Sequence, residues 1–321
     1  MRRFHGLIVD DLNRLSIRLK LENSAIRAQY FHQAQQGVLD VTVGVRVLAQ
    51  GNAVLDTQLS ARPAFSASKV PNRVSALMVT RRRPTLAMRA IRCFLAQSYK
   101  VSELVVIDDS EDDALARVMH AEISGDARRR IIYERLPPSS TTLGELRNHA
   151  VHRATGSLVC QWDDDDLYHP ERIATQVAVL CGTSADACSL WRHQILWQVE
   201  RRLCYSVRRV WEGSLLCRKD LLPLYPSERR GEDTPVVETL LGRGRFALID
   251  EPWLYTYIVH GRNTFDQAHF ARHWLRATER FEGAQFESEV RKIARTLPPP
   301  VAIEFLEAVL GPEHAAAHHA G

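Results

Sequence analysis

A chain of 321 residues is long enough for one large α/β domain with additions, or for two modest domains. Hydrophobic residues make up 45% and charged ones 25%, the balance of a soluble globular protein, and a formal net charge of +4 makes no case for nucleic acid. No apolar run reaches the length that crosses a bilayer, the start Met1-Arg2-Arg3-Phe4-His5 is followed by Asp10 and Asp11 and is not a signal peptide, and six scattered cysteines lack paired metal-ligand spacing; a cytoplasmic protein with reduced thiols is expected.

Residues 1–70 read as an accessory region. Leu39 to Leu59 alternates well enough for two strands about the turn Gln50-Gly51-Asn52, and Ser60 to Pro71, rich in Ser, Ala and Pro, reads as a linker. From Val74 the rhythm changes. Val74–Thr80, Leu104–Ile107, Ile131–Tyr133 and Ser157–Trp162 are apolar strands. Helices over Pro84–Gln97, Asp112–Ile123 and Leu143–Ala154 separate them, with Pro84 well placed in a first helical turn. Strands alternating with helices, each strand a continuous apolar run, predict an α/β fold with a mostly parallel central sheet covered on both faces. A helix over Pro170–Leu180 comes next. Leu190–Val199 and Leu203–Val210 then form an antiparallel pair, followed by a strand at Ser214–Cys217, a helix at Thr234–Leu241, and strands at Phe246–Ile249 and Trp253–Val259. Residues 71–265 are expected to form this domain. Residues 266–321 form a C-terminal extension with helices at Gln267–Phe281, Glu287–Arg295 and Val301–Leu310, ending in an Ala- and His-rich disordered tail.

Ligands of such sheets bind beyond the carboxyl ends of the strands, and Thr80, Asp108, Asp109 and Asp163 to Asp166 all fall there. Four consecutive aspartates at a strand end repel one another, and confinement raises that cost. A divalent cation relieves it by accepting oxygen ligands, and would in turn hold an anion such as a diphosphate. The alternative is a solvated acidic turn before the helix near His169-Pro170. Two D-x-D frames are open, Asp163 with Asp165 or Asp164 with Asp166, and in an extended segment each pair points one way. Oxygen ligands suit Mg2+ or Mn2+ rather than zinc.

In order along the chain, Val105-Val106-Ile107-Asp108-Asp109-Ser110, Leu146-Arg147-Asn148, Trp162-Asp163-Asp164-Asp165-Asp166 and Gly231-Glu232-Asp233 resemble the motifs of family-two glycosyltransferases with the GT-A fold, over about Val74 to Asn263. The resemblance implies transfer of a hexose-type sugar from a nucleotide sugar, expected to be UDP-linked, to a hydroxyl of a glycan or other acceptor. Inversion at the anomeric carbon and a bound Mn2+ or Mg2+ are implied with it. It puts Asp108 or Asp109 on the uracil N–H, the other being left to cap the next helix, and places Thr80 at the nucleoside. Arg147 is implied at the phosphates, its alternative being a surface helix position. The family pattern favours the first D-x-D frame: Asp163 near ribose and metal, Asp164 within the nucleotide site, Asp165 as direct ligand, Asp166 supporting the cluster, and His260 joining the metal. Asp233 becomes the general base, with Glu232 next in line, although acids also favour any first helical turn. Trp211, before Glu212-Gly213, is placed to stack on an acceptor sugar or to pack in the core.

The first-strand loop Thr80-Arg81-Arg82-Arg83-Pro84 is more basic than the family's usual pattern, and the family does not explain the N-terminal region. Two other functions compete. One is a non-catalytic partner subunit that binds nucleotide sugar or metal, which intact Asp165 and Asp233 disfavour. The other is a sugar nucleotidyltransferase, which needs a glycine-rich phosphate loop where Arg81 to Thr85 has no glycine. Peripheral contact with the inner face of the membrane is expected if the acceptor is lipid-linked.

Overall fold

The computed structural model describes residues 72–137, 141–183, 185–243, 245–261, 263 and 265–316, and before them four backbone strands. These are β1 (Leu15–Glu22), β2 (Ala25–Ala34), β3 (Gly37–Val47) and β4 (Ala53–Thr57), an antiparallel meander. β3 and β4 pair with Val47 opposite Ala53, as the alternation predicts. The expected turn at 50–52, the linker at 60–71 and the tail beyond 316 lie outside the described residues.

β5 (Val74–Thr80), α1 (Pro84–Leu95), β6 (Ser102–Asp108), α2 (Ala114–Glu122), α3 (Gly125–Arg129), β7 (Ile131–Arg135), α4 (Leu143–Arg153) and β8 (Leu158–Gln161) follow in the expected alternation. Then come β9 (Leu167–Tyr168), α5 (Arg172–Thr183), β10 (Ala187–Leu190), β11 (Gln194–Trp197), β12 (Arg202–Tyr205), β13 (Leu216–Arg218) and α6 (Asp233–Arg243). β14 (Arg245–Ile249), β15 (Tyr255–Val259), α7 (Gln267–Arg276), β16 (Glu279–Phe281), α8 (Gly283–Thr296), α9 (Pro299–Leu310) and α10 (Pro312–Ala316) complete the described chain.

In the main sheet β7, β6, β5 and β8 lie side by side and parallel. A single reversed strand, β13, separates them from β10 and β14, which run in the original direction again. β4 pairs antiparallel with β14 and continues the sheet into the N-terminal meander. Alternate residues of the parallel strands feed two cores. Val74, Ala76 and Met78 of β5 pack with Ala87, Ile91 and Phe94 of α1, whereas Leu77 packs with Leu146 and Ala150 of α4. Because both sets are buried, the strands read as unbroken apolar runs. A second sheet, in the order β16-β12-β11-β15-β9, flanks the carboxyl ends of the first. Among the described residues no helix is long and apolar enough to cross a membrane.

Two expectations need correction. The helix expected over Gln267–Phe281 stops at Arg276, and Glu279–Phe281 instead forms β16 on the open side of β12. The backbone groups of that edge would otherwise lack partners. Ala187–Leu190, which the sequence did not mark as a strand, is the buried β10 between β13 and β14. α4 is the best-anchored of the helices that reach the strand ends. Thr142 and Glu145 form a reciprocal capping box at its start. Gly144 admits no side chain, since a Cβ would fall 1.8 Å from the Pro226 carbonyl oxygen. The Asn148 amide makes two hydrogen bonds to the Tyr225 backbone, at 2.8 and 2.9 Å. Together these contacts register α4 against the segment that leads to α6.

Candidate active site

β5, β6 and β8 end side by side, and beyond them lies a cleft of about 570 Å³. Thr80, Asp109, Arg147, Asp163 to Asp166, Trp211, Glu232 and Asp233 all line it, so the structure gathers most of the residues that sequence singled out. Asp108 is buried behind its wall, and His260 reaches it through Asp165.

Of the two aspartates that end β6, only one faces the cleft. Asp108 is fully buried: Oδ1 accepts from the Ser110 N–H at 3.0 Å and Oδ2 from the Tyr133 hydroxyl at 2.8 Å. Asp108 therefore secures the strand end. Neither aspartate caps the next helix, whose N-cap is Asp113 without a side-chain bond. Asp109 lies on the cleft wall with Oδ1 buried and unpartnered and Oδ2 3.6 Å from Arg81. Thr80 is turned to the acidic loop, donating from Oγ1 to Asp164 Oδ2 at 2.6 Å, so it is not an open nucleoside contact. Much of the basic loop's charge is answered locally, because Arg81 and Arg82 both pair with Glu111.

The four aspartates diverge. Residues 164–166 form a bend rather than an extended segment, so the expected alternation of Asp163 with Asp165 is not realised. Asp163 Oδ1 accepts from Arg147 Nη2 at 3.1 Å. Asp164 takes Thr80 and, at 3.3 Å, Arg83. Asp165 Oδ2 lies 2.9 Å from Arg83 Nη1 and 3.2 Å from His260 Nε2. Asp166 accepts from the Tyr255 hydroxyl and, at 2.9 Å, from the Ile258 N–H. Both of its oxygens accept from β15, so Asp166 pins the loop to that strand. Burial, and then Asp165, push Asp164 up to about 7. Burial also raises Asp163, against the opposing charge of Arg147, and raises Asp166 well above the carboxylate range. Asp165 goes the other way. Burial disfavours its charge, but the His260 hydrogen bond and the Arg83 charge outweigh this and lower it. It is the one carboxyl of the four whose pKa is lowered.

Among the described residues no three His, Cys, Asp or Glu side chains converge as a ready-made metal cage. A small hard cation does not need one. Mg2+ and, by similar chemistry, Mn2+ are commonly held by one or two carboxylates together with substrate phosphates. An ionised Asp165 on the cleft wall, with Asp163 nearby, fits that pattern, and His260 fits as the neighbour that orients Asp165.

On the opposite wall, Arg147 is only 7% exposed and bridges two acids, with Nε 2.6 Å from Glu232 Oε1 and Nη2 on Asp163. Its fork grips two carboxylates, at the edge of the same cleft. Glu232, 2% exposed and held by Arg147, is a positioning residue and not an available base. Gly231 turns the chain at φ +73°, and Asp233 opens α6 into the cleft. Burial and the neighbouring charge of Glu212, opposed by Arg147, raise Asp233 to about 7. Trp211 is 8% exposed, with the His193 ring 3.9 Å away and the Arg209 guanidinium 4.2 Å from its centroid. It is a wall of the cleft and not an open stacking platform.

Sequence reasoning missed Gln161, His193, Arg209, Glu212 and Tyr255 as cleft residues. Gln161 ends β8 with only Trp162 between it and the aspartates, whereas His193 and Tyr255 gain their place only where the two sheets meet. Asp109 Oδ1, Gln161 Oε1, His193 Nε2 and Arg209 Nε are buried polar atoms without a hydrogen-bond partner in residues that line this cleft. Buried polar groups are ordinarily paired, so such a concentration marks a surface made for a polar ligand.

Comparison with known proteins agrees. The model of the family described as Glycosyl transferase family 2 matches residues 75–212. EpsE of Bacillus subtilis (strain 168), named as a glycosyltransferase, is 36% identical over 98 residues, 30% of this chain and 34% of that one. The amylovoran biosynthesis glycosyltransferase AmsB of Erwinia amylovora is 27% identical over 154 residues, 47% of this chain and 44% of that one. The matched stretches thus span less than half the length of these relatives. Among solved structures, the mannosyltransferase PcManGT from Pyrobaculum calidifontis, in complex with GDP-Man and Mn2+, is 18% identical with a TM-score of 0.48, covering 82% of this chain and 81% of that one. The family match falls on the strands that end in the cleft acids, and over residues 75–212 this chain is similar to glycosyl transferase family 2.

Proposed function

We propose that the cleft transfers a hexose-type sugar from a UDP-linked donor to a hydroxyl of a glycan or other acceptor, with inversion and with Asp233 as general base. One observation carries the reading. A carboxyl whose proton is held to about 7 shares a cleft with the ionised Asp165 and with the unpartnered Asp109. A base poised near the working pH combines a deprotonated fraction with the strength to accept a proton. The acceptor oxygen attacks the anomeric carbon opposite the leaving group. Its proton goes to Asp233, the new C–O bond forms, and the bond to the diphosphate breaks. Mn2+ or Mg2+, held by Asp165 with Asp163, would neutralise the departing diphosphate. Arg147 holds Glu232 and Asp163 in place and so sets where Asp233 stands. The proposed location is cytoplasmic, with contact at the membrane surface if the acceptor is lipid-linked.

The test is a thermal-shift panel of nucleoside diphosphates with and without Mn2+. A ligand at about 100 times its Kd adds about 2.7 kcal/mol to stability, which corresponds to roughly 5 °C for a chain of this size. UDP with Mn2+ should give such a shift, and UDP alone a smaller one. A flat response across the panel overturns the reading.

The two aspartates of β6 separate in the same assay. Asp109→Ala should weaken UDP binding by roughly 10-fold, the loss of one hydrogen bond to a buried group. Asp108→Asn should leave UDP affinity nearly unchanged while costing about 1–3 kcal/mol in urea denaturation, because one of its two buried donors loses its acceptor oxygen. The reverse pattern would exchange the two roles.

A further inference from the structure

The strand order acts as a ruler along the cleft. Asp109 follows β6, Asp163 follows β8, Glu212 lies just before β13, and His193 follows β10. From β6 to β10 are four strand spacings, roughly 19 Å. Asp109 and Asp165 mark the nucleotide end in the proposed function. Asp233, whose strongest charged neighbour is Glu212, stands at the level of β13. His193 lies one strand further, on the side of the base away from the nucleotide, where the attacking hydroxyl must arrive.

We propose that His193 determines acceptor specificity: its Nε2 hydrogen-bonds a hydroxyl of a neutral, polyhydroxylated acceptor, a sugar ring, seated beside Asp233. This rests on the transferase reading above and adds to it the chemistry of the acceptor. The residue is fixed through its backbone and its ring is packed between aromatic neighbours. The backbone N–H of His193 donates to Ser206 Oγ at 3.0 Å, and its carbonyl accepts from the Ser206 N–H at 2.9 Å. The ring lies 3.9 Å from Trp211 and 5.2 Å from Tyr255, at 31° and 23°. Three per cent of the residue is exposed, yet Nε2 has no partner. A histidine serving only the core would have that nitrogen satisfied. Burial, then the charges of His273, Arg209 and Arg172, keep the ring neutral by lowering its pKa well below the usual value. A neutral imidazole offers one donor and one acceptor, and a hydroxyl, which can serve as either, matches whichever nitrogen is presented.

The experiment compares wild type with His193→Phe, which keeps the ring stack and removes the nitrogen, and His193→Gln, which restores a hydrogen-bonding group near Nε2. UDP-glucose, UDP-galactose and UDP-N-acetylglucosamine with Mn2+ serve as donors, and a panel of methyl glycosides as acceptor probes. His193→Phe should raise the acceptor KM by roughly 10-fold with a smaller change in kcat, and His193→Gln should recover most of the loss. The UDP–Mn2+ thermal shift should match wild type in both, which reports an intact fold and donor end. An unchanged acceptor KM in His193→Phe overturns the assignment. So does a panel to which both proteins respond alike, a silent panel included, while the UDP–Mn2+ shift is intact. Absence of that shift in the wild type sinks the transferase reading instead.

Discussion

Asp233→Asn should lower kcat by about 1,000-fold, within the range by which a positioned base contributes, while UDP and Mn2+ still bind. Release of UDP from the donor measures the first, and the thermal shift the second. In the wild type, kcat should rise with pH up to about 7 and then level, because the base must lose its proton to act. The same proton has an effect on stability. An aspartate whose ordinary value is 3.8 is held to about 7 in the fold, so between these values the folded state binds the proton more tightly than the unfolded chain does. Stability therefore falls as pH rises through that window, and the cost is complete above it. Asparagine has no proton to lose. At pH 8 the variant should be more stable than wild type by about 2 kcal/mol, roughly half the formal linkage because the carboxyl faces the open cleft. The gap should close as pH falls towards 4. Undiminished transfer by the variant would remove Asp233 as base, and a gap that does not change with pH would remove the raised titration.

Arg147→Met should be the most destabilising single change at the site. Arg147 is buried between Glu232 and Asp163, and its loss leaves two enclosed carboxylates without their cation. Breaking a buried ion pair by removing one partner costs about 3–5 kcal/mol. Burial already pushes Asp163 up against the pull of Arg147, so without the arginine its carboxyl should hold its proton still more firmly. The loss should therefore be greater at pH 8 than at pH 5, where protonation relieves it. Adding Glu232→Gln should recover part of the stability, since one of the two stranded charges is gone. Urea denaturation at the two pH values measures all of these, and a variant as stable as wild type would show that the bridge does not hold the site. Arg147→Lys should also fall short, because a single ammonium does not reproduce the planar fork that reaches both acids.

The parallel strands were legible because β5, β6 and β8 are buried on both faces: Leu104–Ile107 is wholly apolar, and inside Val74–Thr80 only the small Ser75 breaks the run. The acids could be placed at strand ends for the same reason. Ala187–Leu190 escaped because a four-residue strand with Cys188 and Ser189 inside it has neither the length nor the branched residues that announce one. Of the second sheet, the antiparallel pair β11 and β12 and the strand β15 were legible, whereas β9 and β16, two and three residues long, gain order only from their neighbours. Within the site, residue types were legible and partners were not. Arg147 and Glu232 are 85 positions apart, and nothing local shows that the guanidinium meets that acid. Asp108 and Asp109 are adjacent and chemically identical. Only the hydroxyl of Tyr133 and the turn at Ser110 decide which of them is used up.

The order of strands also bears on how such a protein can change by inheritance. One contiguous stretch of coding sequence, for residues 74 to 166, furnishes β5 to β8 and the acids at their ends. Almost everything on the far wall, from His193 through Trp211 and Asp233 to Phe270, is encoded after it. A single crossover in the α5 to β10 connection, near residue 185, would replace one wall of the cleft and leave the other as it was. Chimeras joined there should keep the donor preference of one parent and adopt the acceptor preference of the other.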